Sequence, residues 1–299
     1  MITLISAPSN LGLRPPRPGG VPGTAKAPEA LREAGLLHRL TSIGAHDGGV
    51  VPAGRYIDDD DTRGRDRVRN QDALVDHTRR LATRIVDVWA SGSTPLVIGG
   101  DCSILLAAGL AGARQGRMGL VHVDGHTDFR HPGNSDACAS LAGEDLAAVV
   151  GLHWPAIADI EGLAPYFEPS RSAHLGHRDD DEHTDEARAV LDCVVSASEI
   201  LSAGTDAAVG AALTAAGDSY WLQVDVDVLD PAVMPAVDSP DPGGIGADGL
   251  IDLLAALAPR AVGISVTVFD PDLDPDGFYA RLLVDIIARG LTSAARAST

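Results

Sequence analysis

The sequence has few of the residues that mark several common classes of protein. Aromatic residues make up only 4% of the 299 residues, so the core must be built mainly from Ala, Val, Leu and Ile. The three cysteines (Cys102, Cys138 and Cys193) argue against a disulfide framework and favour a reducing, cytoplasmic location. No apolar run reaches the roughly 18 residues of a membrane span. The first residues lack the basic region of a signal peptide, so we expect none.

Basic residues are also scarce. Lys and Arg number 23 against 42 Asp and Glu, which gives a formal net charge of −19. Nucleic acids and anionic membrane surfaces repel such a chain, so we expect neither as a partner. An acidic surface also aids solubility in general, and the charge alone therefore indicates no particular function.

Short apolar segments alternate with helical patterns along the chain. We predict strands over 2–7, 42–46, 95–98, 118–123, 172–175, 219–224 and 262–268, and helices over 69–89, 104–110, 143–150, 185–191, 207–216, 247–257 and 279–288. Most of these strands are continuously apolar, which is typical of a mostly parallel sheet covered on both faces. The prediction is an α/β protein with a three-layer αβα fold. No linker divides the sequence, so we expect one domain over residues 1–299.

Two acidic clusters follow predicted strands, a D-x-H-x-D pattern at residues 124–128 and a D-x-D-x-x-D pattern at residues 225–230. Alternate residues of an extended segment point the same way, so each cluster presents its charges to one side. Converging anions at the end of a sheet are costly unless bound cations neutralise them. Oxygen-rich ligation with one imidazole suits Mn²⁺ better than Zn²⁺. Asp230 can equally serve to shape the turn before Pro231.

These motifs resemble those of the ureohydrolases, the family of arginase, agmatinase, guanidinobutyrase and formiminoglutamase. The family patterns G-G-D-H-S, D-A-H-x-D and S-F-D-x-D-x-x-D-P correspond to residues 99–103, 124–128 and 225–231, and the likeness extends over essentially the whole chain. The resemblance implies an arginase-like αβα fold. It also implies a hydrolase with two Mn²⁺ ions that cleaves a C–N bond of a linear guanidine or amidine, with a hydroxide between the ions as nucleophile.

The resemblance also implies the ligands. One ion would take Cys102, Asp124, Asp128 and Asp225, and the other would take Asp124, His126, Asp225 and Asp227. Asp128 would be catalytic as well, because it would accept a hydrogen bond from the hydroxide.

The metal site departs from the family pattern at two positions. Cys102 replaces a histidine ligand, and because thiolates prefer softer ions, Zn²⁺ or Fe²⁺ is possible there; Cys102 can also be simply a small buried residue. Ala142 replaces the histidine that shuttles protons in arginases. Glu144 is our candidate for that catalytic role, with His131 and His153 as alternatives.

The substrate site departs as well. Arg130 stands where formiminoglutamase-like proteins have an arginine that pairs with a substrate carboxylate, although it can instead neutralise the acidic cluster. Asp181 corresponds to a residue that meets the substrate α-amine, although a solvated acidic loop explains it nearly as well. Val268 replaces the glutamate that holds the guanidinium, and Asp270 is our candidate to take over.

The expected substrate is a small guanidino, N-hydroxyguanidino or formimino amino acid. One alternative is a metal-poor, non-catalytic paralogue with a binding or regulatory role, which the altered ligand and the missing shuttle favour. Another is a hydrolase of amide or acyl groups on the same fold, as in relatives similar to histone deacetylases. The resemblance alone suggests a homo-oligomer, a trimer or a hexamer.

Overall fold

A computed structural model describes residues 1–297 of the chain. Within them, eight strands form one sheet in which every pair of neighbours is parallel. The strands are β1 (Ile2–Ala7), β2 (Ala45–Val50), β3 (Thr94–Gly99), β4 (Gly119–Val123), β5 (Ser172–Leu175), β6 (Cys193–Val195), β7 (Tyr220–Asp225) and β8 (Ala261–Thr267). Their order across the sheet is β2-β1-β3-β8-β7-β4-β5-β6.

Helices connect the strands, as parallel pairing requires. They are α1 (Ala27–Glu33), α2 (Leu36–Leu40), α3 (Gln71–Ala90), α4 (Leu105–Arg114), α5 (Asp145–Val149), α6 (Pro155–Ala158), α7 (Thr184–Val190), α8 (Ala197–Ala203), α9 (Thr205–Ala216), α10 (Ala247–Leu257) and α11 (Phe278–Ala297). Short 3₁₀ turns follow several of the strands.

The apolar side chains form two cores, one on each face of the sheet. In β1, Leu4 packs into the core that contains α1, α9, α10 and α11, while its neighbour Ile5 packs into the core of α3 and α4. Both residues are fully buried. This alternation explains the continuously apolar strands, and it confirms the predicted α/β fold with three layers.

Several predicted boundaries were wrong. The strand predicted over 42–46 begins only at Ala45, because residues 41–43 form a 3₁₀ turn that Gly44 ends in a left-handed conformation (φ 77°). The helix predicted over 143–150 covers only Asp145–Val149. The last helix continues to Ala297 instead of ending at 288, and β6 and α8 were not predicted. That residues 1–299 form one domain stays a prediction.

The topology places the sequence motifs side by side. The segments at 99–103, 268–270, 225–230 and 124–128 lie at the carboxyl ends of β3, β8, β7 and β4, which are consecutive in the sheet, and the segment at 176–181 follows the next strand, β5. The carboxyl ends of parallel strands form the usual binding crevice of open α/β sheets. Among the described residues, no helix combines the length and the hydropathy needed to cross a lipid bilayer.

Candidate metal centre

The loop after β3 holds Cys102 at the floor of this crevice. A side chain at Gly100 would place its Cβ 1.7 Å from the carbonyl oxygen of Ser9, so the close approach of these two backbones requires glycine. Asp101 accepts hydrogen bonds from the Ser103 N–H (3.0 Å) and the Ser9 hydroxyl (2.8 Å), which fixes the turn. Cys102 is consequently buried at the centre of the site.

The thiol of Cys102 contacts a carboxylate of the second acidic cluster. Its Sγ donates a hydrogen bond to Asp225 Oδ2. Burial raises the pKa of the Cys102 thiol well above its ordinary value, and the negative charge of Asp225 raises it further. A cation at this position would therefore compete with a tightly held proton for the sulfur.

The two acidic clusters are in direct contact, as the sequence predicted. The Gly125 N–H donates to Asp227 Oδ1 (3.0 Å), and a Cβ at Gly125 would lie 2.6 Å from the Asp227 carbonyl oxygen. Asp124 Oδ1 accepts from the His126 N–H (2.8 Å), and Asp225 Oδ1 accepts from the Asp227 N–H (2.9 Å). Each cluster thus uses one carboxylate oxygen to shape its own loop.

His126 links the clusters to the cavity wall. Its Nδ1 lies 2.9 Å from Asp227 Oδ2, and its Nε2 lies 3.0 Å from Asp241 Oδ2. Burial is the largest single influence and lowers the pKa of His126, but the charge of Asp227 and the hydrogen bonds to Asp227 and Asp241 together outweigh it and raise the pKa to about 10. Asp230 lies apart: it accepts from the Ala232 N–H and the Gly243 N–H (2.9 Å each), which is the turn-forming role.

Two groups of candidate ligands share Asp124. Cys102, Asp124 and Asp225 form one group, and Asp124, His126 and Asp227 form the other; within each group the ligand atoms all lie within 4.8 Å of one another. Asp124 Oδ2 is buried without a hydrogen-bond partner. Burial and the neighbouring carboxylates raise the pKa of both Asp124 and Asp225. Unsatisfied, mutually repelling oxygens of this kind fit two adjacent divalent cations.

Asp128 lies beside these groups but does not complete the Cys102 group. A carboxylate oxygen of Asp128 lies instead within 4.8 Å of the ligand atoms of His122 and Asp145. Its backbone is left-handed (φ 48°), which aspartate tolerates better than most residues. That Asp128 ligates the same ion as Cys102 stays a prediction.

The three predicted substrate-binding residues all line a cavity of about 690 Å³ above the carboxylates. The Arg130 guanidinium is partly exposed and lies 3.8 Å from Glu182 Oε1. Asp181 accepts from the Thr127 N–H (2.9 Å) and hydroxyl (2.7 Å), so it braces the first acidic loop as well as facing the cavity. The charges for binding an amino acid are therefore present at the cavity wall.

The conformation of the loop after β8 is fixed by an unusual backbone angle at Val268 and by the hydrogen bonds of Asp270. Val268, which replaces the expected glutamate, has a φ of 70°, a strained conformation for a β-branched residue. Asp270 lines the cavity, but its two oxygens accept from the Gly23 N–H (3.1 Å) and the Asp272 N–H (2.9 Å). Asp270 therefore connects two loops through its hydrogen bonds. To bind a substrate cation, its carboxylate would have to contact the cation in addition to these two N–H groups.

The structure does not bring Glu144 to the cavity. Its carboxylate is fully buried, accepts from the N–H groups of Ala139 (2.8 Å) and Ser140 (3.1 Å), and lies 3.0 Å from His153 Nε2. Since both oxygens are occupied in the protein interior, we withdraw the catalytic role suggested for it. His131 is also engaged, with Glu186 at 3.0 Å.

Sequence reasoning missed three residues at the centre. Arg178 donates to the carbonyl oxygens of Asp227 and Asp241 (2.8 Å each) and so ties two cavity loops together. His122 and Asp145 are buried beside Asp128. The alternation of strand side chains could have identified His122, which lies two residues before Asp124 on the same face of β4.

The pKa of His126 predicts how stability depends on pH when divalent ions are removed by a chelator. The Asp227 contact favours the imidazolium, whose pKa rises from 6.5 to about 10 on folding. This stabilisation is complete below pH 6.5 and disappears as the pH rises through about 10. We expect the melting temperature to fall by a few degrees between pH 7 and 10, and Mn²⁺ to reduce that fall. A midpoint that rises over this range in chelator would contradict the assignment.

A parallel sheet covered on both faces, with clustered carboxylates beyond its central strands, defines an α/β protein with a candidate metal centre. The model of the Arginase family matches residues 2–292. The chain belongs to this family, which confirms the resemblance to ureohydrolases, hydrolases that act on C–N bonds in linear amidines.

Individual relatives agree with the family assignment. The arginase of Bacillus caldovelox is 30% identical over 254 residues, which cover 82% of this chain and 81% of that protein. The formimidoylglutamase of Halobacterium salinarum is 28% identical over 235 residues, or 74% of this chain and 69% of that protein. The native structure of the B. caldovelox arginase matches with a TM-score of 0.83 and 26% identity, covering 98% of this chain and 97% of the other.

Proposed function

We propose that this protein is a manganese-dependent amidinohydrolase that cleaves the guanidino, N-hydroxyguanidino or formimino group of a small amino acid. The observation that carries the proposal is the pair of candidate ligand groups that share Asp124 at the floor of the cavity. Bound divalent ions would supply Lewis acidity and a water of lowered pKa. Two of the relatives reported above, an arginase and a formimidoylglutamase, act on guanidino and formimino compounds, as their names say.

The protein's own residues would bind and orient the substrate. Arg130 can pair with the carboxylate of an amino acid, because a guanidinium forms two parallel hydrogen bonds to such a group. Asp181, on the same cavity wall, offers a negative charge for the α-amine. The reacting C–N bond would then lie toward Asp128, whose carboxylate can accept a hydrogen bond from the attacking water.

A substrate screen tests this proposal. Purified protein with added Mn²⁺ would be assayed for release of urea, ammonia or amine from guanidino, hydroxyguanidino and formimino acids. We expect turnover of at least one class, and we expect Asp128→Asn to reduce it by about 10²-fold or more, the range for a group that positions a proton in the transition state. Turnover that survives unchanged in Asp128→Asn would place the site elsewhere.

Arg130→Ala tests whether the carboxylate of the substrate binds at Arg130. We expect KM to rise roughly tenfold for a substrate with a carboxylate, because one exposed charge-assisted pair is lost. For the decarboxylated analogue of the same substrate, KM should change little. An equal effect on both compounds would show that Arg130 neutralises the acidic cluster instead.

The hydrogen bond from Cys102 to Asp225 favours the metal-poor alternative, because it occupies two of the candidate ligands with each other. Metal analysis separates the two functions: fewer than one tightly held ion per chain after loading with Mn²⁺ would favour a binding or regulatory role. Assembly as a trimer or hexamer and a cytoplasmic location stay predictions.

A further inference from the structure

A third group of buried polar side chains lies beside the two candidate cation positions. His122, Asp128 and Asp145 offer ligand atoms that all lie within 4.8 Å of one another. His122 Nε2 is 3.5 Å from Asp124 Oδ2 and 3.7 Å from Asp145 Oδ1. His122 comes from β4 and Asp145 from the first turn of α5, so the group bridges the sheet and the helical layer.

The carboxyl group of Asp145 is fully buried, and although the Asp128 carboxyl and the Leu146 N–H lie close to it, neither of its oxygens makes a hydrogen bond of acceptable geometry. The preceding residue makes a useful contrast. Glu144 is equally buried, yet two backbone N–H groups and His153 satisfy its oxygens. Leaving a buried carboxylate without partners costs several kcal/mol, on the order of 3–5 for a broken buried pair, so a missing partner is the natural explanation.

His122 points an unsatisfied nitrogen into the same space. Its Nδ1 lies 2.9 Å from His174 Nδ1, which leaves Nε2 facing the carboxylates of Asp124 and Asp145. The distances of 3.5 and 3.7 Å exceed those of hydrogen bonds. Two ligands about 2.1 Å from one ion at a tetrahedral angle are roughly 3.4 Å apart, which matches better.

We propose that His122, Asp128 and Asp145 bind a divalent cation at a third position, with Asp124 Oδ2 as a further ligand. One imidazole and several carboxylate oxygens suit Mn²⁺, Fe²⁺ or Zn²⁺. The cation neutralises Asp145 and fixes the side chain of Asp128, which the proposed function places next to the reacting water. The inference goes beyond that function, which requires only the two positions that share Asp124.

Metal content measures the third position directly. Chelator-treated wild type, Asp145→Asn and His122→Gln would be loaded with Mn²⁺, desalted and analysed for ions per chain. Asp145→Asn keeps the shape of the side chain, His122→Gln keeps a polar group at a similar reach, and both substitutions weaken the ligand. We expect each variant to hold one ion fewer than wild type, and Asp230→Asn, which removes a turn-forming carboxylate outside this group, to hold as many as wild type. Equal metal content in wild type and both variants would overturn the proposal.

Thermal unfolding provides a second readout that misfolding would not imitate. In chelator, Asp145→Asn should be at least as stable as wild type, because the substitution replaces a buried carboxyl that lacks well-formed hydrogen bonds with an amide of the same shape that cannot ionise. With Mn²⁺, wild type should gain more than the variant, so that the order of stability reverses. A variant that is less stable in chelator would show that Asp145 has a structural partner, and the proposal would fail.

The outcomes for the two proposals are distinguishable. If wild type hydrolyses a substrate and holds two ions, and Asp145→Asn also holds two, the third position is wrong while the hydrolase remains. If wild type holds no ion, both proposals fail.

Discussion

Asp124→Asn should prevent binding of the two ions in the proposed function and reduce kcat/KM by about 10³-fold or more. Asp124 is the residue that the Cys102 and His126 groups share, so its loss affects both at once. A thousandfold loss corresponds to about 4 kcal/mol of transition-state stabilisation. A loss of this size is expected because the Lewis acidity and the activated water would disappear together. Metal analysis and the substrate assay would be run on the same preparations.

Asp230→Asn is the matched control for this experiment. It removes a carboxylate from the same strand-end motif, but Asp230 forms a turn and does not face the cavity. We expect its metal content to equal that of wild type. Asp124→Asn should also be no less stable than wild type in chelator, since an amide of the same shape cannot ionise among the neighbouring carboxylates. Full metal content in Asp124→Asn would refute the two-ion arrangement.

The sequence predicted the fold and the position of the carboxylates well, because both depend on local patterns. Continuously apolar strands require two covered faces, and parallel strands bring their carboxyl ends to one edge. The acidic residues at 124–128 and 225–230 lie at the carboxyl ends of β4 and β7, which are neighbours in the sheet. Their contact through Gly125 and Asp227 follows from that order alone.

The errors concern residues whose role depends on the direction of the side chain. Glu144 and Asp145 are adjacent, and no pattern in the sequence reveals that Glu144 is held by Ala139 and His153 while Asp145 faces His122. Asp270 lines the cavity, and its role as a cation anchor stays a prediction, but its oxygens also hold the loop at Gly23, almost the whole chain length away in sequence. Such assignments need the packing of distant segments.

Cys102→His should raise the affinity for Mn²⁺, by about a hundredfold at the position formed with Asp124 and Asp225. Imidazole is a better ligand for this ion than a buried thiol, and even indirect ligand changes commonly alter metal affinity 10–100-fold. Burial and Asp225 hold the proton on Cys102, because they raise the pKa of its thiol, whereas a neutral imidazole binds without that cost.

Competition with a fluorescent chelator would measure this affinity, and Cys102→Ala is the control because it removes sulfur without adding a ligand. We expect Cys102→Ala to bind Mn²⁺ about as weakly as wild type if the thiol stays protonated, and Zn²⁺ more weakly than wild type if the thiolate ligates softer ions. A loss of Mn²⁺ binding in Cys102→His would mean that Cys102 is a packing residue with no room for a ligand. The first ion would then depend on carboxylates alone, and the histidine of the family pattern would have no counterpart at this position.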